Sequence, residues 1–317
     1  MGATLLSLVQ SAAAELGLPL PGEVVGATDT QTVQMYALMN AVGADLLSRG
    51  QWTALQTQAV INVEQPLSGT CSTTSGSSAI TATGIDATPV VATPTAYLAI
   101  GNGIPTSARV RLAAYNPPSS AYNIDTPATA TASGVALTIA RDTYPVPADF
   151  VTFINDTQWD RGNHWRLQGP SSPQEDQWMR SGIVTTGPRR WFRQTGRGLD
   201  VFRIWPPPAA SDVPGPLVYE YLSSYWAENA SGTPIAQFAA DKDTCVFPDR
   251  LMIEGLKWRF FAAKGFDYSS SYAIWQRQVD TALARDGGAP VLNMARRRYP
   301  IFLSPANVQD GNFPNRP

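Results

Sequence analysis

Between Pro66 and Thr143 the chain becomes almost free of charge. The stretch "TCSTTSGSSAITATGIDATPVVATPTAYLAIGNGIPTSARVRLAAYN" is rich in Thr, Ser, Ala, Gly and Val. Short β-branched runs ("SAITATGI", "PVVATP", "ARVRLAAY", "VALTIAR") alternate with Gly, Pro, Asn and Asp, the pattern of brief strands joined by tight turns. A disordered linker has the same polar bias but lacks the apolar residues to bury. Here Ile80, Ile85, Val90, Val91, Leu98, Ile100, Val110, Leu112, Val135, Leu137 and Ile139 supply them. Residues 66–143 therefore read as a small all-β module.

The flanks are written in another style. Thr4 is placed to cap a helix reaching about Leu16, with Leu5, Val9, Ala12, Ala13 and Leu16 on one face and Gly17 and Pro19 stopping it. Asp29 or Thr30 starts a longer helix whose apolar positions are Val33, Tyr36, Ala37, Ala41, Ala44 and Leu47, ending at Gly50. Ala59, Ile61 and Val63 then alternate as a strand does. After the module, "SPQEDQWMRSG" carries a capping box, Ser172 with Glu175, and Pro173 at the first helical position. "RRWFRQTGRGLDVFRIWP" reads as a hairpin turning at Gly196–Gly198, and "LVYEYLSSYW" as a further strand. Asp249 and Asp267 start two more helices, which Gly265 and Gly287 end.

The expected fold is α+β: a mainly helical core of N- and C-terminal helical hairpins plus a small antiparallel sheet, an inserted all-β module, and an extended C-terminal arm. The expected boundaries are 1–65 and 144–287 for the two halves of the core, 66–143 for the module and 288–317 for the arm. Insertion at a turn whose ends lie close together is the tolerated route to such an order.

Reactive chemistry is sparse in the sequence. The single histidine, His164, stands beside Trp165, where a satisfied structural role is the commoner one. Cys71 and Cys245 have no metal-ligand spacing and read as buried thiols. Glu175 and Asp176 are helix neighbours pointing apart, and Glu175 already serves the capping box. Glu220, among aromatics, would have a raised pKa if buried. The tryptophans of the second half are sugar-stacking platforms or core. No catalytic, cofactor or metal-binding residue is assigned. A net charge of -2 argues against a protein whose main task is to grip nucleic acid. The opening has no basic n-region and no apolar run spans a bilayer.

Charged residues make up 15% of the 317, against about 25% in a typical soluble domain. Either a surface largely turned toward other proteins or a plain Thr/Ser/Ala-rich surface accounts for that. The end of the chain, "PVLNMARRRYPIFLSPANVQDGNFPNRP", bears on the choice. It has apolar anchors, Tyr299, Ile301, Phe302, Leu303 and Phe313, but no period of its own, so it would order on a partner or, alternatively, fold over the chain's own helices. Arg296, Arg297 and Arg298 are available to acidic residues of that partner or of a neighbouring subunit.

Outside residues 66–143 and the arm, the chain resembles the head-to-tail adaptor proteins of short-tailed bacteriophages. The likeness lies in the opening "TLLSLVQSAAAELG…LLSRGQW", in Tyr144, Pro147, Asp149 and Phe150 of "YPVPADFVTFINDTQWDR", in "GPSSPQEDQWMRSG" and "RRWFRQTGRGLDVFRIWPPPAA", and in "YEYLSSYW" and "GLKWRFFAAKGFDY". The resemblance implies a non-enzymatic virion protein at the portal vertex, made in the host cytoplasm. It implies a ring, usually twelvefold, beneath the portal protein that extends the DNA channel. The tail nozzle and tail fibre proteins dock on such a ring, and double-stranded DNA passes through it without sequence-specific binding. On this reading the arm, through Arg296–Arg298 and its apolar anchors, fastens the ring to the portal. The lumen is expected to be neutral or acidic, and the β module peripheral. A host-glycan-binding tail protein, and after it a cell-wall hydrolase, are the alternative readings.

Overall fold

A computed structural model of the chain describes residues 2–85, 97–105, 108–111, 121–183, 190–196, 201–210 and 215–287. The helices are α1 (Leu5–Glu15), α2 (Thr30–Arg49), α3 (Pro173–Trp178), α4 (Asp249–Lys264) and α5 (Ser269–Asp286). The strands run β1 (Gln56–Asn62), β2 (Leu67–Thr73), β3 (Ala79–Thr83), β4 (Tyr97–Gly101), β5 (Val110–Arg111), β6 (Ala121–Ile124), β7 (Ala132–Arg141), β8 (Thr143–Pro145) and β9 (Phe150–Phe153). They continue with β10 (Trp159–Asp160), β11 (Trp165–Arg166), β12 (Trp191–Thr195), β13 (Val201–Trp205), β14 (Pro216–Ser223), β15 (Ala227–Glu228), β16 (Pro234–Ile235) and β17 (Thr244–Cys245).

These elements correct the expected fold class. About 32% of the described residues are helical and 30% lie in strands, so the protein is not a mainly helical core with an inserted β module. Antiparallel sheets recur along the chain, and ten of the strands, β8 to β17, follow Thr143 or begin at it. Many are only two or three residues long. Strands that short have no periodic signal, and their pairing comes from distant partners rather than local sequence.

The chain divides into two compact units. The first comprises the described residues within Met1–Thr57, Ala148–Phe153 and Tyr221–Arg297. The second comprises those within Gln58–Pro147 and Ile154–Glu220.

The first unit holds α1, α2, α4 and α5 around one apolar core. Thr4 caps α1 by accepting from the Ser7 N–H, and Asp29 caps α2 by accepting from Gln31 and Thr32. Gly265, in the left-handed region at φ 77°, ends α4. The buried face of α2 differs from the expected one. It consists of Thr32, Met35, Met39, Val42, Gly43 and Leu46, whereas Val33 is 47% exposed. Two stripes of helical spacing compete on this helix. The buried stripe is the one that carries Gly43, where a Cβ would lie 2.3 Å from the Trp226 ring. Trp226, itself almost fully buried, meets Phe238 edge-on at 5.0 Å. Gly255 of α4 is equally tight, its Cβ position lying 2.5 Å from Val42. Gly43→Ala is expected to destabilise the protein by about 1–3 kcal/mol through overpacking. A lowered urea midpoint by far-UV circular dichroism checks this, and a wild-type midpoint would contradict it. A small antiparallel sheet, β16-β15-β17, completes the unit.

The second unit contains a six-stranded antiparallel sheet of order β4-β7-β2-β3-β6-β5. Its core includes Cys71, Ile80, Ala99, Tyr122, Ile124, Leu137 and Ile139. A three-stranded sheet, β12-β13-β8, pairs Trp191 with Trp205 and Phe192 with Ile204. Residues 197–200, which join β12 to β13, lie outside the described residues. On β13, Phe202 stacks between Phe192 and Tyr219 at 5.4 and 5.2 Å. The capping box of α3 forms as its sequence dictates: the Glu175 N–H donates to Ser172 Oγ at 3.2 Å, and the Ser172 N–H donates to the Glu175 carboxylate at 2.8 Å.

Candidate functional site

The first unit carries a groove of about 590 Å³ between the start of α4, the second half of α5 and the segment following α2. Its floor is apolar. Trp52 is fixed there by two contacts: its Nε1–H donates to the Leu46 carbonyl at 2.8 Å, and its ring meets Phe247 at 5.2 Å. Leu251 and Ala282 continue the floor. One end is closed by Asp286, whose carboxylate accepts from the Thr53 N–H at 2.6 Å and the Thr53 hydroxyl at 2.7 Å.

The edges of the groove are cationic. Arg250 reaches it from α4 but pairs with Glu15 and Glu254. Lys257 also bonds Glu15, at 2.6 Å, and this contact together with the Arg250 pair holds the Glu15 carboxyl below its ordinary pKa. Arg277 and Arg285 lie two turns apart on α5, both exposed, and neither pairs with a carboxylate of the described residues. The groove can therefore offer apolar contact flanked by uncommitted guanidinium groups.

A second concentration of charge lies within the second unit. Asp142, fully buried at the end of β7, accepts from Arg109 at 2.8 Å, Arg180 at 3.2 Å and the Thr143 hydroxyl at 2.8 Å. Asp176 of α3 accepts from Arg180 at 2.9 Å and Arg193 at 3.1 Å. Arg203 approaches both carboxylates, at 3.9 and 3.8 Å. Burial pushes the Asp176 carboxyl up, but the bond from Arg180 and the charges of Arg180, Arg203 and Arg193 outweigh it, and the group stays below the usual carboxylate range. Burial, with Arg180 and Arg109 nearby, lowers Arg203 to about 10. The cluster ties β7, α3, β12 and β13 together, and its carboxylates are committed to guanidinium groups, which gives it a structural role.

In the first unit, the resemblance-bearing Asp149 and Phe150 acquire a physical role. The Asp149 carboxylate accepts from the Tyr221 hydroxyl at 2.9 Å and the Ser223 hydroxyl at 2.5 Å, and its carbonyl accepts from the Ser224 N–H at 2.6 Å. This fastens β9 to the bulged end of β14. Burial and the bond to Asp149 both raise the Tyr221 pKa. Tyr144 is buried in the second unit, beneath the Arg141 guanidinium at 4.8 Å.

Other residues singled out from sequence fall as follows. Glu220 is exposed rather than buried, because it is the outward position in an otherwise buried run of β14. His164 is exposed, at φ 57°. Trp205, Trp226 and Trp275 are core, and Trp178 is 56% exposed. Cys71 and Cys245 are buried free thiols, and burial pushes Cys245 up to about 12. The arm residues Arg296, Arg297, Arg298, Tyr299, Ile301, Phe302, Leu303 and Phe313 lie outside the described residues. Sequence reasoning missed the groove. Its one local signal is the i, i+4, i+8 row of Arg277, Thr281 and Arg285 on α5.

The first unit is helical with an open groove, and the second is β-rich and tied together by buried ion pairs. Comparison with protein families supplies the class. Residues 108–308 match the SU10 adaptor protein family, well over half of the chain, and the chain belongs to that family. It is a phage adaptor-type protein, a structural component of the virion. Comparison with curated proteins returns no match. Among the described residues no helix is long and apolar enough to cross a membrane.

Proposed function

We propose that the protein is a head-to-tail adaptor that assembles as a ring of about twelve copies on the portal protein, extends the DNA channel and carries the tail nozzle and fibres. The twelvefold count is taken from the resemblance. The observation that carries the reading is the family match over residues 108–308. The low charge content supports it, since each subunit of a ring buries two different patches against its neighbours. Double-stranded DNA passes through such a ring without sequence-specific contacts. The arm, residues 288–317, is the fastening to the portal, with Arg296, Arg297 and Arg298 for acidic partners and Tyr299, Ile301, Phe302, Leu303 and Phe313 as apolar anchors.

Particle mass and negative-stain images of the purified protein, alone and mixed with the portal protein of the same phage, test the assembly. A ring stacked on the portal is expected, and a monomer that ignores the portal would overturn the reading. Deleting 288–317 is expected to abolish portal binding while the helical content is kept. Undiminished binding by the truncated chain would remove the arm from the mechanism.

A further inference from the structure

The groove of the first unit has a charge pattern that the packing of the chain leaves unused. Arg277 and Arg285 are eight residues apart on α5, about 12 Å along the helix at about 1.5 Å per residue. Ala282 lies between them along α5, and with Ala54, Val246 and Pro248 it gives the groove an accessible apolar lining over the buried floor of Trp52, Phe247 and Leu251. An extended peptide rises about 3.3 Å per residue, so two side chains four residues apart span about 13 Å. Positions i, i+2 and i+4 of such a segment also share one face. An acid at i, a large apolar residue at i+2 and a second acid at i+4 would therefore meet Arg285, the floor and Arg277 together, in either chain direction. Guanidinium groups suit carboxylates geometrically, and because both arginines are exposed the pairs they form are screened by salt.

This chain has no such segment. Its one pair of acids four residues apart is Asp156 and Asp160, and the residue between them is Gln158. The arm is unsuitable on charge as well: residues 288–317 contain four arginines and one aspartate. The complement to the groove thus lies on a different protein.

We propose that the groove docks an extended segment of another virion protein with the pattern acid, any residue, large apolar residue, any residue, acid. This rests on the adaptor reading for the identity of the partner as a virion protein, but the chemistry of the groove is tested without it. The probe is a fluorescently labelled peptide, Gly-Glu-Ser-Leu-Ser-Glu-Gly, titrated with the full-length protein and followed by anisotropy. The control peptide has lysine in place of both glutamates. Wild type is expected to bind the acidic probe and to lose it as salt rises. The double variant Arg277→Glu/Arg285→Glu is expected to bind the acidic probe about tenfold more weakly and to bind the lysine peptide instead. Both substitutions are exposed, and circular dichroism checks that the variant is folded. Equal binding of both peptides by wild type, no binding of the acidic probe, or unchanged binding by the folded double variant would each overturn the proposal.

The identity of the partner is read separately, by placing a photo-crosslinking residue at Thr281 in assembled phage particles. A crosslink to a segment of another virion protein with the stated pattern is expected. A crosslink to this chain's own residues, whether the arm or a neighbouring copy, would overturn the assignment of the occupant. Failure of portal binding with intact peptide binding would fault the adaptor reading and not the groove.

Discussion

Replacing Asp142 by alanine is expected to destabilise the second unit by about 3–5 kcal/mol, the cost of leaving a buried guanidinium without its counter-charge. Asp142 is fully buried and takes bonds from Arg109, Arg180 and Thr143. Arg180, only 5% exposed, keeps Asp176 but faces Arg203 with less compensation. Asp142→Asn keeps the size and removes the charge, so a loss matching that of alanine assigns the cost to charge. The measurement is hydrogen exchange resolved by peptide, with reduced protection expected in β7, β12 and β13. Unchanged protection there would show that the cluster is not needed.

The same cluster sets a pH dependence. Asp176 has a folded pKa held below its ordinary value of 3.8. Its contribution to stability is therefore complete above the unfolded value and is lost as pH falls through the folded one. Acid unfolding of the second unit is expected to begin below about pH 4, and Asp176→Asn is expected to flatten that limb of the stability curve. A curve as steep as that of wild type would contradict this role.

Trp275→Ala is the second large effect, about 3–5 kcal/mol in the first unit. The ring is fully buried, donates from Nε1 to the Leu251 carbonyl at 3.0 Å, and packs against Trp258 at 5.5 Å and Tyr272 at 6.0 Å. The Arg49 guanidinium covers its face at 4.5 Å. Truncation removes the apolar contact and leaves a cavity between α4 and α5. Loss of exchange protection along both helices and a lowered thermal midpoint are the expected readouts. Trp275→Phe restores the ring without the indole N–H and is expected to recover most of the loss. An alanine variant as stable as wild type would show that the hairpin closes over the gap.

Local chemistry was legible wherever it is short in range. Thr4, Asp29, Ser172 with Glu175, and Gly265 are helix signals that act within three or four residues, and each sits where its element begins or ends. The strand at Ala59 and Ile61 alternates as read. The proportion of sheet was not legible. Strands such as Trp159–Asp160 and Trp165–Arg166 are two residues long, and their register comes from pairing with each other and with Leu217 and Val218. Periodicity needs more residues than that to register.

The sequence by itself determined the helix signals at Thr4, Asp29, Ser172 and Gly265, the charge-poor composition of residues 66–143 and the family likeness, because each is a property of neighbours along the chain. Tertiary structure alone decided which stripe of α2 is buried, since the choice rests on a Trp226 ring far away in sequence fitting over Gly43. It alone gathered Asp142, Asp176 and four arginines into one knot, and it alone brought Trp52 and Phe247 to the same groove as Arg277 and Arg285. Each of these depends on contacts between residues distant in sequence, and such contacts exist only after the chain has folded.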